Sequence, residues 1–135
     1  MQIIIYISRA KQNFTSGDLA DLRDLADARN RSEDITGLLL SDGTRFIQAL
    51  EGDAAAVQAV MDRIAKDPRH DNISYFRPIT TSFRQFEKWT TEYLDEKYLC
   101  EGRGLLDRVM RNVADVECDS IKAAFIEFAA LSLSR

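Results

Sequence analysis

The segment at residues 2–8, QIIIYIS, places large apolar side chains on both of its alternating faces. Its β-branched and aromatic composition is typical of a strand, in which successive side chains point to opposite sides of the sheet. A strand that is apolar on both sides is stable only when both faces of its sheet are covered. The segment therefore predicts a sheet between two layers. The two faces carry Ile4, Tyr6 and Ser8 on one side and Ile3, Ile5 and Ile7 on the other.

The remaining elements follow in the order β-α-β-β-α-β-β. Two apolar segments at 35–41 and 45–51 flank Asp42-Gly43, a dipeptide suited to a tight hairpin turn. Asp53 caps the second helix and Pro68 stops it. The other predicted elements are a first helix from Thr15 or Ser16 to about Arg29 or Asn30, and strands at 73–79 and 88–93, the former restricted to an edge or an end by Pro78.

This order predicts an α/β (α+β) fold, a ferredoxin-like sandwich with a mixed five-stranded sheet. Two helices cover only one face, so the C-terminal third must supply a helical pair for the other. Its apolar stripes are Leu106, Val109, Met110 and Val113, then Ile121, Ala124, Phe125 and Phe128. We therefore expect residues 1–94 as the main unit and 95–135 as a helical pair of the same globule, with the boundary near Asp95.

Composition excludes several function classes. With 18 basic and 22 acidic residues, a formal charge of −4 and no basic run, a nucleic-acid surface is not expected. The N-terminal apolar segment is too short for a membrane span and lacks a signal peptide's basic region, which predicts a cytoplasmic protein without a membrane partner. Cys100, Cys118 and the single His70 form neither a disulfide framework nor a metal site, and nucleotide-loop and nucleophile motifs are absent.

A glutamine lies where core is expected. Gln48 shares its strand face with Phe46 and Leu50, so its amide should be buried and must have hydrogen-bond partners. The hydroxyl of Tyr6, in the middle of the first strand, is one such partner. The pair is explained either as a satisfied polar spot in the core or as the floor of a ligand pocket between the two helices.

Other polar residues also have two explanations. Arg63 and Asp67 could line that pocket from the second helix, or pair with each other at i, i+4. Asn30 could simply end the first helix. Trp89 and Thr91 share one face of the last strand, where a lone tryptophan is usually core, and His70 is expected at the surface after the helix stop.

Together these residues resemble the BLUF family, the sensors of blue light using FAD. The resemblance spans about residues 1–94. It is carried by YIS at 6–8, Asn30, ITGLLL at 35–40, FIQALEG at 46–52, RIAKDPRH at 63–70 and Trp89. The appended helical pair, without an effector domain, resembles the short single-domain members.

The resemblance implies an oxidised flavin, FAD with FMN still open, between the first two helices. It implies that Asn30 binds the pyrimidine edge, Arg63 a flavin carbonyl and Asp67 the ribityl chain, with Leu22 and Ile64 on either side of the ring. Arg29, Arg69 and His70 would lie near the phosphates. The implied flavin-binding residues are Tyr6, Ser8, Leu22, Arg29, Asn30, Gln48, Arg63, Ile64, Asp67 and His70.

The resemblance further implies a photoreceptor and not a turnover enzyme. Tyr6 would transiently give an electron and a proton, and Gln48 would change its hydrogen bonds, giving a reversible red-shifted state. Trp89 and Thr91 would relay the change to the helical pair, and thence to a protein partner or a homo-oligomer. Thr91 stands where many members have methionine. The alternatives are an acylphosphatase-like protein and a light-insensitive ligand-binding module of the same fold.

Overall fold

The computed structural model describes residues 1–11, 16–42, 44–93 and 103–133. Predictions that concern Thr15, Gly43, Cys100 and the boundary near Asp95 lie outside these residues. The strands are β1 (Gln2–Ala10), β2 (Thr36–Ser41), β3 (Arg45–Gly52), β4 (His70–Tyr75), β5 (Ile79–Thr80) and β6 (Trp89–Tyr93). The helices are α1 (Ser16–Ser32), α2 (Ala54–Ala65), α3 (Arg103–Asn112) and α4 (Asp119–Leu133).

The strands form one mixed sheet in the order β4-β1-β3-β2-β6, with β5 also paired to β1. β3 lies between β1 and β2 and is antiparallel to both, so the unit β1-α1-β2 is a split β-α-β crossover. β6 is added parallel to β2 at the far edge. This topology confirms the predicted ferredoxin-like sandwich and puts β3 at its centre.

The sheet has six strands among the described residues, so the prediction of five is wrong. The strand expected at 73–79 is instead two segments, β4 and β5, which follow each other along the same edge of β1. Pro78 lies in the break between them. Proline has no N–H to donate to a ladder, which accounts for the interruption.

The helix ends also differ from expectation. α1 continues to Ser32, so Asn30 lies inside the helix and does not end it. Asp53 occupies the N-cap of α2 with an extended backbone but without a side-chain cap hydrogen bond. In the hairpin, the Oδ1 atom of Asp42 accepts the backbone N–H groups of Thr44 at 3.0 Å and Arg45 at 2.8 Å.

The face of the sheet away from α1 and α2 packs against α3 and α4. A single apolar cluster joins the sheet to residues of α3, α4 and the segment between them. Its sheet members include Ile3, Ile5, Leu38, Leu40, Ile47 and Ala49, and its helical members include Val109, Val113, Ile121, Ala124, Phe125 and Phe128. The helical pair thus covers the second face, as the apolar pattern of the first strand requires.

The opposite face carries a smaller apolar cluster. There Tyr6, Leu50 and Ile35 pack against Val57 and Val60 of α2. Apolar side chains do not fill this face completely, and the polar residues Tyr6 of β1 and Gln48 of β3 lie beside the remaining space.

Candidate flavin site

The centre of the site is a hydrogen bond between two neighbouring strands. Tyr6 and Gln48 are directly opposed in the β1–β3 ladder, so their side chains emerge on the same face. The Tyr6 hydroxyl donates a short hydrogen bond to Oε1 of Gln48. Gln48 is 5% exposed. The predicted burial of this amide and its tyrosine partner are both confirmed.

Tyr6 is held in its neutral form. Burial, above all, raises the pKa of the phenol well above its usual range, and the negative charge of Asp67 adds to the effect. A neutral phenol keeps its proton available for donation. Tyr6 is therefore a hydrogen-bond donor to Gln48 across the ordinary pH range.

Two amide side chains that line the cavity have polar atoms without a hydrogen-bond partner among the described residues. The Nε2 group of Gln48 has no hydrogen-bond partner there, since Oε1 alone is engaged by Tyr6. The side chain of Asn30 has none either, although the residue is only 3% exposed. Both residues line the same cavity, which therefore presents polar groups that a ligand would satisfy.

The cavity has a volume of about 110 Å³ and lies between α1, α2 and the sheet. Its walls are mostly apolar, and its few polar groups converge from different elements. Such a lining suits a flat heteroaromatic ring with polar edges. The lining residues are Tyr6, Leu25, Ala26, Arg29, Asn30, Leu39, Phe46, Gln48, Val60, Arg63, Ile64, Asp67, Arg69 and His70.

Charged pairs form the rim of the cavity. Nη2 of Arg63 donates to the carboxylate of Glu33 at 2.8 Å. Asp67 accepts hydrogen bonds from the backbone N–H and from the guanidinium of Arg69, and Nε of Arg69 lies 2.9 Å from Oδ1 of Asp67. The hydrogen bonds from Arg69 lower the pKa of Asp67. The alternative of an i, i+4 pair between Arg63 and Asp67 is therefore wrong.

His70 is buried, so the expectation of a surface histidine is wrong. It begins β4, where a bulge shifts the register against β1, with Asn72 at a positive φ of 53°. The shift places His70, opposite Ala10, on the cavity face of the sheet in place of Asp71. Asparagine tolerates this left-handed backbone, but the sequence gives no sign of the bulge.

The ring of His70 bridges two elements. Its Nε2 lies 2.7 Å from the carbonyl oxygen of Ile64, and its Nδ1 lies 2.7 Å from Oγ of Ser8. Because a carbonyl oxygen only accepts, Nε2 donates to Ile64, and Nδ1 shares a hydrogen bond with the Ser8 hydroxyl, which can donate or accept. Ser8 itself does not line the cavity. It contacts His70, which does line the cavity, and its direct contact with a flavin stays a prediction.

The predicted relay strand is not adjacent to β3. β2 lies between them, and the row across the three strands is Gln48, Leu39 and Thr91. Trp89 packs partly against the cluster of Leu39 and Phe46, and its Nε1 is buried without a partner among the described residues. The side chain of Thr91 lies outside the described part of the structure.

Gly37 makes this arrangement possible. It is the ladder neighbour of Trp89, with a φ of 153°. A Cβ atom there would lie 1.9 Å from the carbonyl oxygen of Ala49 and 3.2 Å from the indole. No side chain fits, so glycine is required where the tryptophan meets the sheet.

Of the ten predicted flavin-binding residues, eight line the cavity and Ser8 lies behind it. The side chain of the tenth, Leu22, is outside the described part of the structure. Residues that sequence reasoning did not assign to the site include Leu25 and Ala26, which belong to the same apolar stripe of α1 as Leu22. Phe46 shares a strand face with Gln48 and could have been included on that ground.

A comparison with protein families identifies the family of this chain. Residues 1–92 match the family model described as BLUF, sensors of blue-light using FAD. The chain belongs to the BLUF family. BLUF domains bind flavin, and this chain is a blue-light sensor of that family. The acylphosphatase-like alternative is set aside, and Arg63, on which it partly depended, is already paired with Glu33.

Curated relatives include larger proteins. The chain is 41% identical over 70 residues to the photoactivated adenylate cyclase subunit alpha-like protein FB of Euglena gracilis, covering 52% of this chain and 7% of that protein. It is 33% identical over 92 residues to the blue light- and temperature-regulated antirepressor BluF of Escherichia coli, covering 68% of this chain and 23% of that protein. The chain thus spans less than a quarter of either relative.

Solved structures give the same fold. BlrB, a BLUF protein in its dark state, has a TM-score of 0.70 and 26% identity, with 99% of this chain and 96% of that chain covered. Klebsiella pneumoniae BlrP1 with FMN and cyclic diGMP has a TM-score of 0.78 and 28% identity, covering 96% of this chain and 34% of that one. In the described part of the chain, no helix is long and apolar enough to cross a membrane.

Proposed function

We propose that this chain is a reversible blue-light switch in which Tyr6 and Gln48 form the photochemical pair and FAD is the flavin. The observation that carries the proposal is the buried Tyr6–Gln48 hydrogen bond on the cavity wall. It leaves the Nε2 group of Gln48 without a partner among the described residues. Because Oε1 of this amide is bound to the Tyr6 hydroxyl and Nε2 is available to a ligand, a change in the charge or protonation of Tyr6 would change the hydrogen bonds of Gln48.

The residues around the cavity fit a flavin. Asn30 offers an unpartnered buried amide for the polar pyrimidine edge, and Ile64 an apolar surface for the ring. Arg63 would bind a flavin carbonyl, either in place of Glu33 or in addition to it. Asp67 would bind the ribityl chain. Arg29 and Arg69, with His70 nearby, line the cavity and offer positive charge for the phosphates of FAD. FAD is also the flavin in the family's description.

Tyr6 and Gln48 carry the chemistry of the switch. When bound, the flavin supplies the blue-light absorption and the oxidising power of its excited state. Tyr6 would give an electron to that excited state and pass its phenolic proton along the existing hydrogen bond to Oε1 of Gln48. Both return to Tyr6, so no net oxidation remains. The lasting change is the rearranged amide of Gln48, whose altered hydrogen bonds give the red-shifted state.

The output is contact with another protein and not turnover of a substrate. The C-terminal pair bears two large apolar side chains, Met110 and Leu131, that are 56% and 50% exposed, and they are available for contact with a partner protein or a second copy of this chain. Residues 1–94 would then be the flavin-binding unit and 95–135 the output unit. Trp89 and Thr91 remain proposed relay residues, acting through Leu39 across β2.

The test is an absorption spectrum in the dark, under blue light and during recovery. We expect a flavin band that shifts slightly to the red without bleaching and then returns. Gln48→Leu should keep the flavin and lose the shift, because leucine offers no donor or acceptor. Tyr6→Phe should keep the yellow colour and also lose the reversible shift, because the phenolic proton is gone.

Gln58→Leu is the matched control, since it makes the same change on the exposed face of α2 and should shift normally. A normal shift in Gln48→Leu would refute the role of Gln48, and a band that only bleaches in the unchanged protein would refute the switch. Chromatography of the flavin released by acid should show FAD, and FMN alone would refute that part of the proposal.

A further inference from the structure

A buried carboxylate lies on the opposite side of β3 from the flavin site. Glu51 comes three residues after Gln48, and because side chains alternate along a strand, it points to the face covered by α3 and α4. It is fully buried, at 0% exposure. A buried carboxylate needs hydrogen-bond partners. The partners of Glu51 therefore identify the segments of the chain that are attached to β3.

Glu51 binds the segment that precedes β6. Its Oε2 accepts the backbone N–H of Gln85 at 2.6 Å, and its Oε1 accepts that of Phe86 at 3.0 Å. The hydroxyl of Thr36 donates to Oε1 at 2.9 Å. Hydrogen bonds to a charged acceptor are the stronger kind, so this segment is fixed firmly to the end of β3.

The side chain of Gln85 continues the connection to α4. Its Oε1 accepts the backbone N–H groups of Glu117 and Cys118, both at 2.9 Å. These residues come immediately before α4, and the carbonyl of Cys118 accepts the backbone N–H groups of Ile121 and Lys122 in its first turn. Gln85 thus caps the start of α4 with an acceptor from outside the helix.

The other end of β3 also contacts α4. Arg45 lies three residues before Gln48, and its guanidinium carbon is 4.7 Å from the centre of the Phe128 ring. Its Nη2 donates to the carbonyl oxygen of Phe128 at 3.5 Å. β3 therefore contacts α4 near the helix N-terminus through Glu51 and Gln85, and further along the helix through Arg45.

We propose that β3 itself passes the light signal to α4, and that Gln85 is the positioning residue through which the signal reaches the start of the helix. The inference rests on the proposed function, because it needs Gln48 to be the residue whose hydrogen bonds change. The route from Gln48 along β3 to Glu51 and Gln85 crosses no other strand, whereas Trp89 lies on β6, which β2 separates from β3. Because β3 is tightly packed and contacts α4 at two points, a small displacement of β3 would shift the whole helix.

The experiment measures amide hydrogen exchange in the dark and under continuous blue light, with the absorption shift recorded on the same sample. In the unchanged protein we expect the red shift together with a light-induced change in exchange at residues 117–122. Gln85→Met keeps the length of the side chain but replaces the strong acceptor with a thioether. It should keep the red shift and reduce the light-induced exchange change at 117–122 by about fivefold or more.

Two further variants separate transmission from mere structure. Gln85→Glu retains an acceptor oxygen for both N–H groups and should restore the light-induced change. Gln58→Met makes the control substitution on the exposed side of α2 and should leave both readouts unchanged. If Gln85→Met does not fold, Arg45→Met tests the other contact, and the light-induced change should then fall at residues 125–131.

The outcomes are distinguishable. A light-induced change at 117–122 that is as large in Gln85→Met as in the unchanged protein would overturn the inference. So would a normal red shift with no exchange change in α4, which would leave the proposed photochemistry intact. An unchanged protein without any red shift would overturn the proposed function, and this inference with it.

Discussion

The two faces of the central sheet are built from alternate residues of the same strands, yet they differ in kind. On the α3 and α4 side, Ile5, Ile47 and Phe125 belong to a continuous apolar cluster. On the α1 and α2 side, Tyr6, Gln48 and Asn30 surround a cavity and leave amide groups unsatisfied within the described residues. One face therefore stabilises the fold, and the other gives up stability for binding.

The difference teaches where each kind of substitution acts. Odd-numbered positions of β1 belong to the packed face, and even-numbered positions carry the polar chemistry. A change on the packed face should alter the free energy of unfolding and leave the flavin environment unchanged. A change on the cavity face should alter the flavin environment and have a smaller effect on the free energy of unfolding. The following three predictions test this division, from the largest effect to the smallest.

Phe125→Ala should lower the free energy of unfolding by about 3–5 kcal/mol, because it leaves a cavity beside a fully buried ring. Urea unfolding followed by circular dichroism measures the loss. The folded variant should keep the dark-state flavin spectrum. Met110→Ala, at an exposed position, is the control and should change stability by less than about 0.5 kcal/mol. A loss below about 1 kcal/mol in Phe125→Ala would contradict a tightly packed second face.

Asn30→Leu should raise the stability of the flavin-free protein by about 1 kcal/mol, because it puts an apolar side chain in the mostly apolar cavity in place of an amide that has no partner among the described residues. Flavin affinity should fall about tenfold, measured by titration of the flavin-free protein. Asn112→Leu is the matched control, since Nδ2 of Asn112 donates to the carbonyl of Arg108 at 3.0 Å. That variant should lose stability and bind flavin normally. A less stable flavin-free Asn30→Leu would show that the amide is already satisfied.

Asp67→Asn should lower stability at neutral pH by less than about 1 kcal/mol, since the pair with Arg69 is largely solvent-screened. The pKa of Asp67 is lowered from its ordinary 3.8, so the carboxylate stabilises the fold above that pH and ceases to do so as the pH falls through the lowered pKa. Thermal unfolding at several pH values should therefore show a deficit that disappears in acid.

Arg69→Gln should produce the same pH-dependent deficit, and the double variant should be no less stable than either single one. A deficit that persists unchanged in acid would mean that Asp67 acts through packing and not through its charge.

Much of this fold could be predicted from the sequence, because the spacing of apolar residues and the residues that favour turns determine strands, helices and the hairpin locally. The apolar residues on both faces of the first strand predicted that both faces of the sheet are covered, and Asp42-Gly43 predicted the hairpin that joins β2 to β3. The hydrogen bond between Tyr6 and Gln48 followed from burial alone, since a buried glutamine between apolar neighbours must find a partner.

The errors come from features that local patterns do not encode. The bulge at Asn72 depends on how β4 docks against β1, and it alone moves His70 from the expected surface to the cavity face. The partners of Arg63 and Asp67 depend on where α1 ends and on the chain that follows α2. The hydrogen bond between Glu51 and Gln85 joins residues 34 positions apart, and no periodic pattern in the sequence indicates it.

The position of Trp89 has an optical consequence. It is the only tryptophan of the chain, and it packs against Leu39 and Phe46, both of which line the cavity. Its ultraviolet emission overlaps the absorption of a flavin, and energy transfer falls steeply with distance. The protein thus contains its own fluorescent reporter, whose quenching follows the arrival of the flavin and whose colour and lifetime follow the environment of a single indole.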